Sequence, residues 1–270
     1  MTTRLAHAKI NLALVVGPVS EAGKHEVVTV LQRVALADTI ELSVGTGLMV
    51  EGFADDTIVT RALTRLATEA SVEPHWVVRI TKEIPVCAGL GGGSSDAATA
   101  LQLANDSLAS PLSLERLSAI AAEIGADVAF FLHDGPQLGT GDGSQLTPLE
   151  LPDGFIVVLV VPDDVHKEST ANVYAAFDER GGAVGFGERR AALNAALAHT
   201  RATNDLAALP LNDLATSPLA GLLRNTGAIR ADVSGAGPCV YGVFADSALA
   251  SAASRELLRF GRTWVTTAIR

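Results

Sequence analysis

The sequence predicts an α+β protein of two domains, and three observations carry that expectation. Apolar runs of strand length, at residues 12–16, 27–36, 39–44, 76–81, 155–161, 240–244 and 264–269, alternate with longer segments of helical period. The 270 residues are enough for one large or two medium cores. Leu149 to Gly154 follows a glycine-rich stretch and reads as a boundary, so residues 1–150 and 151–270 are the expected domains.

Taken in order, Leu12 to Val16 is a short buried strand with Lys9 and Asn11 just before it. In an extended chain residues i and i+2 share a face, so these two polar side chains present together, as an active-site pair or as a lysine snorkelling at a strand edge. Gly17 to Lys24 is a loop, and two strands, 27–36 and 39–44, flank Ala37-Asp38. Asp55 to Ala70 carries Ile58, Ala62, Leu63, Leu66, Ala67 and Ala70 on one helical face. The strand 76–81 ends at Lys82, which by itself reads as an exposed strand-end lysine.

Residues 85–101, Pro-Val-Cys-Ala-Gly-Leu-Gly-Gly-Gly-Ser-Ser-Asp-Ala-Ala-Thr-Ala-Leu, form the most informative stretch. Gly89, Gly91, Gly92 and Gly93 let the backbone come close to a ligand, Ser94 and Ser95 follow, and an alanine-rich helix begins at about Asp96. Clustered backbone amides at a helix N-terminus suit phosphate. A plain flexible turn is the bland alternative. No lysine follows the glycines, which argues against a P-loop, and Ser94 stands where the dinucleotide pattern needs a third glycine.

Ser113 is a suitable N-cap for a helix through Ile124, with Gly125 closing it and Asp127 at the mouth of the apolar run 128–132. Gly135 to Ser144 is a second glycine-rich turn region. Beyond the boundary come the strand 155–161, the loop Pro162 to Thr170, a helix through Val173 and Phe177, and a loop at Gly181 to Gly187. Helices at 188–198 and 214–224, the tight turn Ser234 to Gly237, the strand 240–244, a helix capped by Asp246 and a closing strand complete the chain.

Apolar residues make up 48% of the chain and mean hydropathy is +0.31. Even so, no uninterrupted apolar run reaches the roughly 18 residues of a membrane span, and Met1 to Leu14 lacks a signal-peptide core. A cytoplasmic protein without a membrane partner is expected. The net charge of −10 and pI near 5.0 argue against a nucleic-acid surface. Cys87 and Cys239 offer neither a disulfide framework nor a metal-binding spacing, and both are expected to be buried. Of the twenty basic residues only four are lysine, Lys9, Lys24, Lys82 and Lys167, so lysine placement hints at site chemistry.

The glycine stretch resembles the signature of the GHMP kinase superfamily. Ala8-Lys9-Ile10-Asn11-Leu12, Gly23-Lys24-His25-Glu26, Gly125-Ala126-Asp127-Val128 and Ser234-Gly235-Ala236-Gly237-Pro238 stand in the order that resembles its family of 4-diphosphocytidyl-2-C-methyl-D-erythritol kinases. The resemblance spans essentially the whole chain. It implies a two-domain GHMP kinase fold with the active site in the cleft between domains, ATP and Mg2+ as cofactors, and a small-molecule substrate phosphorylated on its 2-hydroxyl. Monomer and homodimer both remain open. A kinase of another small alcohol, such as homoserine or a mevalonate-like acid, and a non-catalytic nucleotide-binding protein are the competing readings.

By the same resemblance Lys9 and Asp127 are catalytic, with Asp127 accepting or orienting the hydroxyl proton. Thr57 and Lys82 line the adenine pocket, Gly89, Leu90, Gly91, Gly92, Gly93, Ser94 and Ser95 hold the phosphates, and Ser94 or Ser95 helps to place Mg2+. Asn11, Lys24, His25 and Thr170 contact substrate, with His25 reading cytosine, and Thr203-Asn204-Asp205-Leu206 resembles the family's second-domain Asn-Asp segment. Three positions depart from the pattern. Thr57 replaces an asparagine, Ala129 replaces a proline and is expected to relax its turn, and Lys24 replaces a tyrosine that would stack near cytosine. Lys24 is expected to pair with the substrate diphosphate or to pack its stem under the base.

Overall fold

The computed structural model describes residues 1–54, 56–163 and 169–270. Long strands open the chain, β1 (Thr2–Val19) and β2 (His25–Val44), followed by β3 (Met49–Glu51), α1 (Ile58–Ala70) and β4 (Trp76–Thr81). Next come α2 (Gly92–Asp106), α3 (Leu114–Ile124), α4 (Ala126–Phe130) and the hairpin β5 (Gln137–Thr140) and β6 (Gln145–Pro148). The remainder is β7 (Ile156–Pro162), α5 (Thr170–Glu179), α6 (Phe186–His199), α7 (Pro218–Asn225), β8 (Arg230–Val233), β9 (Val240–Phe244), α8 (Ser247–Leu257) and β10 (Gly261–Ile269). The mixture of sheet and helix agrees with the α+β expectation.

Two compact units interleave along the sequence: Met1–Ala8, Leu36–Val86 and Gly91–Asp134 form one, and Lys9–Ala35, Cys87–Leu90 and Gly135–Arg270 form the other. In the first, β4 pairs antiparallel with the second half of β2, Thr39 opposite Thr81, and parallel with β3. Helix α1 packs on α2 and α3, burying Val59, Leu63 and Leu66 with Ala97, Ala98 and Leu101 of α2. In the second unit, β10, β7, β9 and β8 are joined antiparallel in that order. Helices α7 and α8 cover this sheet, placing Leu219, Leu223, Ala250, Ala253 and Leu257 on Val158, Val160 and Phe244. The hairpin β5–β6 adds to the first half of β2, with Thr29 opposite Gly139.

Several boundaries differ from the sequence reading, each for a local reason. The strand expected at 12–16 begins at Thr2, so Lys9 and Asn11 lie inside it, 4% and 5% exposed. The break expected at Ala37-Asp38 is absent because the buried Asp38 carboxylate accepts from the amides of Glu83 at 2.6 Å and Ile84 at 2.8 Å. Asp55, the expected start of the first helix, is outside the described residues, and the Asp56 carboxylate takes the amides of Val59 and Thr60 at the head of α1. Helix α7 starts at Pro218 rather than Leu214, since Ser217 caps it and proline suits a first turn. The expected loop Pro162 to Thr170 is described only at its ends. The caps at Ser113 and Asp246 form as expected.

Candidate active site

The glycine stretch divides between the two units at Leu90 and Gly91. Helix α2 starts at Gly92, four residues before the expected Asp96, so Gly92, Gly93, Ser94 and Ser95 form its first turn. Its leading amides have no intrahelical acceptor and suit an anion, whereas Ser95 N already donates to Gly91 O at 2.9 Å. Ser94 keeps partial exposure and Ser95 is buried. In the other unit, Gly89 has φ +84° and a Cβ there would lie 2.3 Å from Ser234 O. Gly89→Ala must therefore move backbone and is expected to destabilise the fold by about 1–3 kcal/mol and weaken ATP affinity. A melting curve and an ATP titration matching the parent would remove that constraint.

Cys87 is exposed at φ +62°, which corrects the expectation of burial, while Cys239 is buried and its thiol pKa is pushed up to about 12 by desolvation. The turn, rather than the core, uses the first of these residues. Cys239 N donates to Ala88 O at 3.0 Å, and Lys9 N donates to Leu90 O at 2.9 Å. The loop segment 87–90 thus lies between the chain at Cys239 and β1.

Lys9 and Asn11 do share a face. The Lys9 ammonium donates to Asn11 Oδ1 at 2.7 Å, Asn11 Nδ2 donates to Thr29 Oγ1 at 2.8 Å, and that hydroxyl donates to Ala13 O at 2.8 Å. Ser234 Oγ accepts from Asn11 N at 3.3 Å and donates to Gly89 O at 3.0 Å. A buried ammonium is thereby held beside the first part of the glycine stretch, within one unit.

In the other unit, the half-buried Lys82 lies between two buried carboxylates. It donates to Asp96 Oδ2 at 2.6 Å and to the Asp38 carboxylate. Burial lowers the lysine pKa, but the two carboxylates outweigh it and the net shift is upward. Burial and the neighbouring Asp38 push Asp96 up to about 7 despite Lys82. Asp96 Oδ1 has no hydrogen-bond partner among the described residues. Lys82 also approaches the helix start, its Nζ 3.3 Å from where a Gly92 Cβ would stand. Thr57 is exposed at the head of α1, and its side chain makes no capping bond.

Asp127 is half-buried in the first turn of α4. The amides of Val128 and Ala129 donate to Gly125 O at 3.0 and 3.4 Å. Ala129 therefore supplies a bond that proline lacks, and the turn closes instead of relaxing.

Lys24, His25 and Thr170 belong to the second unit. Lys24 is exposed and donates to Asp142 Oδ2 at 2.6 Å, which with Ser144 holds the Asp142 pKa down to about 2. His25 Nδ1 lies 2.8 Å from Gly17 O, so that nitrogen carries a proton, and Nε2 lies 3.3 Å from Asp178 Oδ2. The Tyr174 ring stacks on His25 at 4.8 Å between centroids and 29° between planes. Sequence reasoning missed this tyrosine, which sits one helical turn after Thr170, the first and exposed residue of α5.

The expected Asn-Asp segment at Thr203–Leu206 serves its own turn: Asp205 accepts from the amides of Arg201 and Ala202, both at 2.8 Å. A second pair, Asn212-Asp213, lies closer to the site. Asn212 donates to Val233 O and Gly235 O, and Asp213 accepts from Val16 N.

The GHMP kinases N terminal domain model matches residues 57–135, and the GHMP kinases C terminal model matches residues 206–263. A 4-diphosphocytidyl-2-C-methyl-D-erythritol kinase of Anaeromyxobacter sp. (strain Fw109-5) is 38% identical over 94% of this chain and 85% of its own length. The enzyme of the same name from Geobacter metallireducens is 35% identical over 99% and 98%. A crystal structure of 4-(cytidine 5'-diphospho)-2C-methyl-D-erythritol kinase superposes with a TM-score of 0.81 at 28% identity, covering 100% of both chains. A mevalonate kinase structure, with a TM-score of 0.79 at 13% identity and full coverage of both chains, shares the fold. The chain belongs to the GHMP kinases and, within them, to the 4-diphosphocytidyl-2-C-methyl-D-erythritol kinase family.

Proposed function

We propose that this chain transfers the γ-phosphoryl group of ATP to the 2-hydroxyl of 4-diphosphocytidyl-2-C-methyl-D-erythritol, a step of non-mevalonate isoprenoid precursor synthesis. The observation that carries the reading is the buried Lys9–Asn11 pair held against the glycine stretch, together with relatives of that name over nearly the whole chain. Phosphoryl transfer asks a protein chiefly for positioning and for stabilisation of negative charge. The first turn of α2 would receive the phosphates, Lys82 and Thr57 would border the adenine, and Lys9 would offset charge on the transferred group. Asp127 would accept or orient the hydroxyl proton.

Mg2+ fits the donor set in a limited way. No cluster of three His, Cys, Asp or Glu side chains occurs among the described residues, whereas Ser94, a partly exposed residue of the first turn of α2, offers a hydroxyl there. Mg2+ commonly takes one or two protein oxygens and fills its shell with phosphate oxygens and water. The ion would neutralise charge on the phosphates. Among the described residues no helix is long and apolar enough to cross a membrane. The reading places the enzyme in the cytoplasm as a monomer or homodimer, acting on small molecules and not on nucleic acid.

The test offers purified protein ATP, Mg2+ and, in separate reactions, the cytidine compound, homoserine and mevalonate, with products followed by phosphorus NMR. Phosphorylation of the cytidine compound alone is expected. Turnover of either other alcohol without it would overturn the substrate assignment.

The cytidine end is assigned to His25 and Tyr174. Lys24, tied to Asp142, has neither an aromatic face nor an uncommitted charge, while the Tyr174 ring beside His25 provides the face that the turn lacks. Tyr174→Ala is expected to raise KM for the cytidine compound about five- to a hundredfold, corresponding to base stacking worth roughly 1–3 kcal/mol. Lys24→Ala should change it by less than about threefold, as expected of an exposed ion pair. Initial-rate kinetics giving the reverse order would move the base to Lys24.

A further inference from the structure

Asn212 has no part in the chemistry assigned above, yet its side chain is buried and fully bonded. Its Nδ2 donates to Val233 O at 2.9 Å and to Gly235 O at 2.7 Å, its Oδ1 accepts from Leu214 N at 2.8 Å, and its main-chain amide donates to Asp232 Oδ2 at 2.8 Å. The turn gripped in this way is the one that meets the reactive groups. Ser234 bridges Asn11 N and Gly89 O. A methyl group on Gly235 would lie 3.3 Å from Asn11 Oδ1 and 3.6 Å from Lys9 Nζ. Asp213 fixes β1 from the same point, its amide donating to Leu14 O at 2.9 Å and its carboxylate accepting from Val16 N at 2.8 Å. Arg189 holds that carboxylate at 2.9 Å.

We propose that Asn212 is a positioning residue for phosphoryl transfer. By holding the carbonyls of Val233 and Gly235, it sets the Ser234–Gly237 turn and, through it, the Lys9 ammonium, Asn11 and the Cys87–Leu90 segment. The chain from Asn212 to Lys9 is short: an amide on Gly235 O, then Gly235 against Lys9 and Asn11. An error of about 1 Å in such a placement can cost a hundredfold in rate. The inference rests on the kinase reading, so one of its tests is independent of turnover.

Asn212→Asp keeps the shape and the main-chain bonds but turns an acceptor oxygen toward two carbonyl oxygens. A kcat about ten- to a hundredfold lower is expected, with KM for the cytidine compound changed by less than about threefold, because His25 and Tyr174 make no bond to Asn212. The turnover-independent readout is alkylation of Cys87, which is exposed while Cys239 is buried. Its labelling rate should rise several-fold, and protection by ATP should weaken. If Asn212→Asp gives no cooperative melt, Ser234→Ala removes the bridge to Gly89 and Asn11 directly and should produce the same changes. A folded variant with parental kcat and parental Cys87 labelling overturns the proposal, as does a lower kcat accompanied only by a lower Tm with labelling unmoved. Failure of the parent protein to phosphorylate any of the three alcohols would defeat the kinase reading, while Cys87 labelling would still show whether Asn212 sets the Ser234–Gly237 turn and the Cys87–Leu90 segment.

Discussion

Asp127→Asn is expected to bind ATP with nearly parental affinity and to lose about 10²- to 10⁴-fold in kcat, the range of a positioned acid–base group. The substitution preserves size and replaces a carboxylate by an amide that cannot accept a proton at neutral pH. The backbone beneath it should be undisturbed, because main-chain bonds from the Val128 and Ala129 amides to Gly125 O close the turn. Steady-state phosphorylation with the cytidine compound, alongside an ATP titration, separates chemistry from binding. A fall confined to tenfold would assign Asp127 to orienting the hydroxyl, and a kcat equal to the parent's would remove it from the reaction.

Much of the fold was legible because the signals were local. Periodicity marked the strands 76–81, 155–161 and 240–244, and hydroxyl or carboxylate caps marked the starts of α3 and α8. The errors came where a polar residue is satisfied from far along the chain. Asp38 reads as a turn residue until Lys82, 44 positions later, and the amides of Glu83 and Ile84 reach it, after which β2 runs straight through. The glycines of 135–144 concealed a hairpin, since strands as short as β5 and β6 leave little alternation to detect.

The site divides along the same line. Lys9 and Asn11 are two residues apart on a strand, so their meeting followed from the pleat. Lys82 could be singled out by type, but its two carboxylate partners lie 44 and 14 residues away and left no local trace. Tyr174 carries no local signal of its place, because the His25 ring on which it stacks lies far away in the sequence. With two Asn-Asp pairs eight residues apart, sequence alone pointed to 204–205, whereas Asn212-Asp213 is the pair bonded to Val233 O, to Gly235 O and to β1.

Lys9→Ala should cost about 2–4 kcal/mol of transition-state stabilisation, by comparison with loss of one preorganised donor to a developing anion. That is a fall of roughly 30- to 10³-fold in kcat/KM. The structure explains why the ammonium would be worth this much: it is 4% exposed, so solvent screens it little, and Asn11 aims it at 2.7 Å. Asn11 is itself fixed by Thr29 and Ser234, so little reorganisation is needed when charge develops. Arginine should not replace it, because a planar, bulkier guanidinium cannot occupy a buried point site shaped for an ammonium. Methylammonium supplied in the assay should restore part of the lost rate to Lys9→Ala, and none to Asp127→Asn, because it returns the missing charge only to the first. A folded Lys9→Ala enzyme within threefold of the parent, or rescue equal in both variants, would place the stabilising charge elsewhere.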